Sequence, residues 1–442
     1  MDNGILYENE DSTILLVDIP RSLEAAQFQS SSSSPNASSF SRRLISSEPP
    51  LRPYPSLEPK SVRAKAALKG PSLEELLLRR HLEFALEKGR DEWKEKGEWC
   101  LPRITESVTL KVEEDEDIDV DVDGPRKRMK LEEQEKKPGA KNELKAEENI
   151  KIEIEIEIDK IPCYSFPLSS HAHKPALDDI SESGLFYSNP SSSTQSIQLT
   201  SSQSTYSIPR QSTFILGSIA DTRHFFSPYT SSPSLSSPTP KFDIILLDPP
   251  WPNRSARRSK AYGTSSRNFQ IRDLLSSIPI RDLLSEDGLV AVWITNRESF
   301  REMVLGKEGL FEGWGMAICE EWCWLKVTSG GEPICALDGV WRKPWEGVLI
   351  GRRTGGSNDH GRGEREGEKE GVVKRRIVIG VPDLHSRKPN LRHLFEKAMK
   401  KSSGEYQALE IFARYLTAGW WSWGNEVLKF QNDDCWADDP DL

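Results

Sequence analysis

A near-continuous apolar run at Phe242–Leu247 limits what this 442-residue chain can fold into more than any other segment. A strand that is apolar on both sides is typical of a parallel sheet covered by helices on both faces. Further β-rich stretches alternate with helical stretches as far as residue 413. The β-rich stretches are residues 289–294, 346–350, 376–381 and 410–413, and the helical ones are 271–284 and 390–400. This alternation predicts the α/β class with a doubly wound sheet.

Composition divides the rest of the chain into ordered and disordered parts. Residues 1–28 contain β-branched runs separated by a turn, which predicts an ordered N-terminal segment. Residues 29–70 are rich in Ser and Pro, which predicts a disordered linker. Residues 101–205 are first highly charged and then Ser-rich, so we expect them to be mostly disordered. The α/β domain is predicted to span residues 206–435, with a mobile Gly-rich loop at 355–370.

A helical accessory segment is predicted at residues 71–100. Ser72 followed three residues later by Glu75 has the sequence of a capping box, so a helix should begin after Ser72 and run to about Trp93. Its apolar residues are expected to face a partner surface. They are Leu76, Leu77, Leu82, Phe84 and Leu86.

Charge and cysteine content exclude several classes of protein. A formal net charge of -10 argues against general affinity for nucleic acid, so any nucleic-acid surface has to be a local basic patch. The six cysteines are too scattered for a disulfide scaffold, and no histidine set completes a zinc site, so we expect no metal. No apolar run reaches membrane-spanning length, and the acidic N-terminus is not a signal peptide. We therefore expect a soluble intracellular protein that does not bind membranes.

The apolar run ends directly in Asp248-Pro249-Pro250-Trp251. Ligands of open α/β sheets bind at the carboxyl ends of strands, so a site is expected here. One chemistry that such a motif could serve is reaction at the exocyclic amine of adenine, which is a poor nucleophile. The Asp248 carboxylate and the Pro249 carbonyl could each accept a hydrogen bond from this amine and so aim its lone pair. The consecutive prolines stiffen the backbone, and Trp251 could stack on a flipped base. The alternative is a tight turn with an aromatic plug.

The tetrapeptide and the segments that follow it resemble the MT-A-type adenine-N⁶ methyltransferases, the family with the Asp-Pro-Pro-Trp motif. The resemblance covers about residues 241–431, and its details, together with residues 5–26, are similar to the methyltransferase-like-four branch. It implies a Rossmann-like methyltransferase sheet with permuted motif order, which agrees with the lack of a glycine-rich dinucleotide loop. The further segments that carry it are Tyr262-Gly263-Thr264 and residues 293–297, 321–326, 343–347 and 419–426.

In this family the C-terminal half binds the cofactor, S-adenosyl-L-methionine, and the resemblance assigns the corresponding residues. Lys388 matches the lysine that binds the methionine carboxylate. Phe412 and Arg414 match residues that flank the cofactor. Asn425 and Glu426 match the pair that holds the ribose hydroxyls, and a carboxylate suits that role because it accepts both hydroxyl protons.

Other positions bear on the cofactor and on the substrate. Glu346 is expected to pair with Lys388, whereas Ser218 stands where relatives carry an acidic residue near the cofactor adenine. The basic loop, which we define as residues 254–260, is expected to contact phosphates, with a merely solvated loop as the alternative. The substrate-binding candidates are Arg254, Arg257, Arg258, Tyr262 and Trp293.

These assignments predict a methyltransferase acting on the N⁶ amine of adenine in a nucleic acid, without an obligate heterodimer partner. The branch favours RNA, in particular a small nuclear RNA with a 2′-O-methyladenosine, and DNA is the runner-up. A second alternative is a catalytically inactive RNA-binding scaffold. The presence of Asp248, Lys388 and Asn425 argues against it. A Pro-rich linker protein that binds aromatic grooves would explain only the N-terminal half. A basic cluster at residues 126–130 indicates the nucleus, with the cytoplasm as second location.

The basic loop can be tested through the salt dependence of binding. If Arg254, Arg257, Arg258 and Lys260 contact phosphates, replacing two of them with Ala should weaken binding to every nucleic-acid sequence. The slope of log affinity against log salt should flatten by about 1.4 for a single strand or about 1.8 for a duplex. Fluorescence anisotropy titrations at several salt concentrations measure this slope, and an unchanged slope would mean that the loop is only solvated charge.

Overall fold

The computed structural model describes residues 3–28, 42–55, 70–105, 184–199, 204–226, 240–252, 268–339, 342–354 and 373–439. The strands within them are β1 (Ile5–Glu8), β2 (Ile14–Val17), β3 (Arg42–Ser46), β4 (Ile104–Thr105), β5 (Leu185–Ser188), β6 (Gln195–Gln198), β7 (Thr205–Ile208), β8 (Thr213–Leu216), β9 (Phe242–Leu247), β10 (Leu284–Ile294), β11 (Met316–Lys326), β12 (Trp345–Arg353), β13 (Lys374–Gly380), β14 (Ala408–Ile411), β15 (Trp421–Gly424) and β16 (Trp436–Asp438). The helices are α1 (Ile19–Ala26), α2 (Leu73–Trp93), α3 (Ile219–Thr222), α4 (Asn268–Ser276), α5 (Ile280–Leu283), α6 (Glu298–Leu305), α7 (Leu310–Trp314) and α8 (Arg392–Met399).

Most strands of the described residues form one 11-stranded sheet, in the order β1-β2-β13-β11-β12-β10-β9-β14-β15-β8-β5. The run from β10 to β8 is parallel throughout, and so is the run β11-β13-β2. Strand β12 lies between these two runs and is antiparallel to both of its neighbours. Strands β1 and β5 are antiparallel edges. The carboxyl ends of all the parallel strands therefore meet at one edge of the sheet, where β12 begins.

Strand β9 shows why both faces of the sheet are covered. Ile245 and Leu247 belong to an apolar core shared with helices α4 to α7. Ile244 and Leu246 belong to a second core, shared with α1 and α8. Successive side chains of a strand point to opposite faces, so an apolar residue at nearly every position is needed to fill both cores. A mostly parallel sheet with helices on both faces confirms the predicted doubly wound α/β class.

The N-terminal segment extends this sheet. Strand β2 pairs in parallel with β13, with Leu15 opposite Val378. Helix α1 follows at once because Asp18 caps it: the carboxylate accepts a hydrogen bond from the N–H of Arg21 at 2.8 Å. Pro20 lies in the first turn of α1, where its missing N–H would have had no partner in any case. Residues 5–26 thus add two strands to the main sheet and a helix to one of its faces.

Helix α2 occupies the predicted accessory segment and begins at the expected cap, where Ser72 Oγ accepts from the N–H of Glu75 at 3.2 Å. Leu82 and Leu86 are buried in a core with strands β1, β2, β11 and β13. Leu76, Leu77 and Phe84 are instead exposed, so the expectation that all five apolar residues face one packing surface is wrong. At 3.6 residues per turn, Leu77 and Phe84 lie on the side of the helix opposite Leu82 and Leu86.

Parts of the two predicted linkers are ordered, which corrects those predictions. Within residues 29–70, strand β3 pairs with β16 and with β4. Within residues 101–205, strand β5 forms one edge of the main sheet, and β6 pairs with β7. The α/β sheet therefore begins before residue 206. Strand β3 is ordered by a partner far away in sequence, since Trp436 lies opposite Leu44, whereas β5 and β6 pair with the nearer strands β8 and β7. Residues 106–183 and the loop at 355–370 lie outside the described residues.

The helix predicted at residues 271–284 is divided into α4 and α5. Pro279 lies between them, and a proline has no N–H to donate and disfavours helical geometry at the residue before it. The helix predicted at 390–400 is α8. Among the described residues, no helix combines the length and the apolar character needed to cross a membrane.

The two sides of α2 differ enough to be tested by matched substitutions. Leu82 is 0% exposed, so Leu82→Ala should lower the free energy of unfolding by about 2–5 kcal/mol, because it leaves a cavity. Phe84 is 58% exposed, so Phe84→Ala should change it by no more than about 0.5 kcal/mol. Urea denaturation followed by tryptophan fluorescence measures both values. Equal losses would contradict the assignment of the buried side.

Candidate active site

Three neighbouring parallel strands end side by side and bring the predicted site residues together. Asp248 follows β9, Phe412 follows β14, and Asn425 and Glu426 follow β15. The N–H of Asp248 donates to the carbonyl of Ile411 at 3.2 Å, so the end of β9 is tied to the end of β14. This is the edge of the sheet at which ligands of doubly wound folds bind.

The adjoining strands add oppositely charged groups at the same edge. Glu346 is the second residue of β12, and Lys326 is the last residue of β11. Lys388 lies in the loop that connects β13 to α8. The structure therefore places Lys388 beside the Asp248 turn, although the two residues are 140 positions apart in the chain.

An alternating chain of ion pairs joins these side chains. Arg414 Nη1 donates to Asp248 Oδ2 at 2.7 Å, and Arg414 Nε donates to Glu426 Oε2 at 3.0 Å. Lys388 Nζ lies 3.4 Å from Asp248 Oδ1 and also pairs with Glu346, as the sequence predicted. Lys326 donates to the other oxygen of Glu346. Each charge thus faces an opposite charge, which makes their partial burial tolerable.

The pKa values of the Lys388–Glu346 pair move in the directions that keep both groups charged. Burial would lower the pKa of Lys388, but the nearby carboxylates of Asp248 and Glu346 raise it above its usual value. Burial would likewise raise the pKa of Glu346, but Lys326 and Lys388 lower it far below the usual range. Lys388 is therefore a cation at neutral pH, held in place by two carboxylates.

Glu410 is a buried acid that the sequence analysis did not select. It lies on β14, opposite Leu246 of β9 and Ser422 of β15. Burial raises its pKa to about 8, the charge of Asp248 adds to that effect, and Arg414 only partly opposes it. In the described part of the chain, Oε2 of Glu410 has no hydrogen-bond partner. Its carboxyl group is therefore protonated at neutral pH and lies within the electrostatic reach of Asp248.

The motif tryptophan is buried beneath the site. Trp251 is 7% exposed, and its ring stacks on Phe300 with 4.5 Å between the ring centroids. The indole Nε1 of Trp251 donates to the carbonyl of Trp293 at 2.7 Å. The backbone N–H of Trp251 donates to the carbonyl of Pro249 at 2.8 Å. Little of the ring remains for a base, so the geometry favours the alternative of an aromatic plug that holds the turn.

Trp293, expected to bind substrate, is also buried. Lys388 Nζ lies 4.8 Å from the centroid of its ring, a distance typical of a cation–π contact. The ring meets Trp324 edge-on, with 6.4 Å between centroids. Trp293 therefore supports Lys388, and its expected place in the substrate surface stays a prediction.

Several predicted substrate residues lie outside the described residues, namely Arg254, Arg257, Arg258, Lys260 and Tyr262. Ser218 follows β8 at the same edge of the sheet and donates to Asp221, so a carboxylate lies next to Ser218. Asn425 is exposed, and Glu426 is partly buried. Within the part of the chain that the structure describes, no cluster of His, Cys, Asp and Glu side chains could hold a metal ion.

Comparison with known proteins identifies the family. The MT-A70 family model matches residues 242–426, which include the strand, the motif and the residues after β15. A protein of Cryphonectria parasitica named "N6-methyladenosine RNA methyltransferase MTA1" is 34% identical over 98% of this chain and 94% of its own length. The chain belongs to the MT-A70 family.

Two further relatives show how far the similarity extends. A Pyricularia oryzae protein with the same name is 32% identical over 99% of this chain and 97% of its own length. The human protein "N(6)-adenine-specific methyltransferase METTL4" is 35% identical over 52% of this chain and 44% of its own length. The resemblance to MT-A-type methyltransferases and to their methyltransferase-like-four branch is confirmed, and an MT-A70 chain with such relatives is a methyltransferase.

The side chains at the edge of the sheet suit the cofactor expected for an MT-A70 protein. An ammonium has three N–H donors, and Lys388 directs donors to Glu346 and Asp248, which leaves one for a carboxylate. The carboxylates of Asp248 and Glu426 are acceptors for cationic and hydroxyl groups. The buried carboxyl group of Glu410 lies behind them, and its Oε2 has no hydrogen-bond partner among the described residues. This combination of a hydrogen-bond donor and carboxylate acceptors matches a ligand that carries a carboxylate, an ammonium, a sulfonium and ribose hydroxyls.

The raised pKa of Glu410 predicts a pH dependence of stability. Its folded-state pKa of about 8 lies above the usual 4.5, so the folded protein keeps a proton that the unfolded chain releases between these values. Stability should therefore fall as the pH rises from about 4.5 to about 8. Glu410→Gln is neutral throughout, so the wild type should lose about 1 kcal/mol per pH unit relative to it. Urea denaturation at pH 5, 6, 7 and 8 measures this difference, and parallel curves would contradict it.

Proposed function

We propose that this chain transfers a methyl group from S-adenosylmethionine to the exocyclic N⁶ amine of adenine in RNA. The observation that carries the proposal is the Asp248 carboxylate, held at the end of β9 by Arg414 and Lys388. Family membership supports the class of reaction, and the geometry supports the roles of the individual residues. When bound, the cofactor supplies an electrophilic methyl group on a sulfonium.

Asp248 and Pro249 would activate the amine. A carboxylate has about four acceptor positions, so Asp248 can accept an amine hydrogen while it remains paired with Arg414 and Lys388. The carbonyl of Pro249 already accepts the N–H of Trp251 and has a second lone pair for the other amine hydrogen. Two acceptors on one side of the nitrogen direct its lone pair to the other side, which is catalysis by orientation and fixed electrostatics.

The cofactor groups would be bound by residues from three loops. Lys388 would bind the methionine carboxylate, and Phe412 and Arg414 would flank the cofactor. Asn425 and Glu426 would hold the ribose hydroxyls. Arg414 pairs with both Asp248 and Glu426, so it connects the ribose end of the site to the methyl-transfer end. Residues that bind the cofactor and the residue that orients the amine therefore share one electrostatic network.

The preference for RNA rests on the two relatives that match nearly the whole chain, whose names specify RNA. A small nuclear RNA with a 2′-O-methyladenosine is the narrower substrate that we propose, and the nucleus is the proposed location. The Asp248, Lys388 and Asn425 positions are all retained, which supports activity over an inactive scaffold. The chain is proposed to act without an obligate heterodimer partner.

The proposal is tested by replacing Asp248 and measuring methylation of matched RNA and DNA oligonucleotides. Asp248→Asn removes the negative charge but keeps an acceptor for Arg414, so we expect turnover to fall by about a hundredfold or more. Mass spectrometry of the digested nucleosides measures N⁶-methyladenine in each polymer. Asp243→Asn is the matched control: it changes a carboxylate at the other end of β9, which pairs with Lys401 at 2.9 Å, and turnover should be unchanged.

The outcomes separate the alternatives. Methylation of RNA by the wild type and its loss in Asp248→Asn would support the proposal. Methylation of DNA in preference to RNA would support the runner-up. Normal turnover in Asp248→Asn would remove Asp248 from its assigned role, and RNA binding with no methylation of either polymer would support an inactive scaffold.

A further inference from the structure

The position of Lys388 depends on a loop that has little regular structure. Residues 381–391 connect β13 to α8 without a helix or a strand. A loop of this kind needs contacts from other segments to keep one conformation. The ammonium of Lys388 has to be placed accurately, because a shift of about 1 Å in a binding group can reduce activity by about a hundredfold.

Arg103, directly before β4, holds the start of this loop. Its Nη2 donates to the carbonyl of Val381 at 2.9 Å, and its Nη1 donates to the carbonyl of Pro382 at 2.9 Å. Nη1 also donates to the carbonyl of Ser47 at 3.1 Å. The side chain is 2% exposed, so these bonds are shielded from water. One guanidinium thus joins the loop to the segment that follows β3.

Asp383 and Arg387 hold the middle of the loop to the same segment. Asp383 Oδ1 accepts from the N–H of Ser47 at 2.8 Å, and its Oδ2 accepts from Arg387 Nη1 at 2.8 Å. Arg387 Nη1 also donates to the carbonyl of Ile45 at 2.6 Å, and its guanidinium lies 4.5 Å from the centroid of the Phe430 ring. Arg387 immediately precedes Lys388, so fixing Arg387 restricts where the next side chain can reach.

The end of the loop is attached to the N-terminal segment as well. The N–H of Asn390 donates to Ser22 Oγ at 3.2 Å. Start, middle and end of the loop therefore all bond to residues between positions 22 and 103. The MT-A70 match begins at residue 242, so all these partners lie outside the matched region.

We propose that Arg103, together with residues 45–47, acts as a clamp that positions Lys388 for the cofactor carboxylate. The N-terminal segments are in this way part of the cofactor site. The inference rests on the proposed function of Lys388. Arg103 is a positioning residue, and it acts through Lys388.

The test measures S-adenosylmethionine affinity by isothermal titration calorimetry on the full-length chain. Arg103→Ala should raise the dissociation constant by about tenfold or more, as expected when a supporting residue of a binding group is lost. Turnover at saturating S-adenosylmethionine should fall less than the affinity does, because Asp248 keeps its second partner, Arg414, when Lys388 is displaced. Asp383→Asn preserves the shape of the clamp but weakens its pair with Arg387, and should act in the same direction if Arg103→Ala does not fold.

A double-mutant cycle with Lys388→Met distinguishes positioning from general destabilisation. If Arg103 acts through Lys388, the substitution Arg103→Ala should reduce affinity by no more than about twofold in the Lys388→Met background. Independent effects would instead multiply, since only residues that act together show such coupling.

Arg376→Ala is the matched control for loss of a buried arginine. Arg376 is 3% exposed and also joins the N-terminal segment to the sheet, with Nη1 2.7 Å from the carbonyl of Ser12 and Nε 2.7 Å from Glu320. It lies near the start of β13, whereas the clamp lies beyond its end. We expect Arg376→Ala to lower the melting temperature as Arg103→Ala does, with the affinity for S-adenosylmethionine unchanged.

The possible failures can be told apart. Three results would each overturn the clamp. They are unchanged affinity in Arg103→Ala, effects on the dissociation constant that multiply in the double-mutant cycle, and an equal loss of affinity in Arg376→Ala. Unchanged affinity in Lys388→Met would instead refute the assigned cofactor residue and with it part of the proposed function.

Discussion

The parallel pairing of β9 with β14 is the interaction on which the rest of the site depends. The N–H of Asp248 donates to the carbonyl of Ile411, so the last bond of this strand ladder also fixes the first residue of the site. The chain then turns at Phe412, whose φ of 63° is unusual for a residue other than glycine. A bond of 2.7 Å from the N–H of Phe412 to the carbonyl of Trp423 maintains this turn. The backbone thus sets the spacing between Asp248 and Arg414.

Charge alternation explains both the fully charged and the neutral groups of the site. Arg414 is shared by Asp248 and Glu426, and Lys388 is shared by Asp248 and Glu346. Both cations are therefore paired with carboxylates other than that of Glu410. Glu410 lies behind them without an ion pair of its own among the described residues. A buried carboxyl group in that position keeps its proton, because ionisation would leave an unpaired charge next to Asp248. Because these residues share one network, the effects of substituting them should not be additive.

Local signals account for what could be predicted from the sequence. The apolar run of β9 and the adjoining motif are contiguous, so both the α/β class and the position of Asp248 could be inferred directly. The pairing of Lys388 with Glu346 followed from the family resemblance, since residues 42 positions apart carry no local sign of contact. Glu410 could not be selected, because nothing in a strand sequence distinguishes a buried glutamate from an exposed one. Trp251 was ambiguous for the same reason, and its burial against Phe300 favours the aromatic plug.

Long-range pairing explains why the linker predictions were too extensive and why the matched region depends on the residues before it. Strand β13 has β11 on one side and β2 on the other, and β15 similarly needs β8. A chain that began at residue 242 would leave the backbone groups of β13 and β15 without these partners, and unpaired strand edges promote aggregation. It would also expose the side of the second core that Leu15 and Leu23 cover. Residues outside the matched region therefore complete the same sheet, which agrees with the similarity of both fungal relatives over nearly the whole chain.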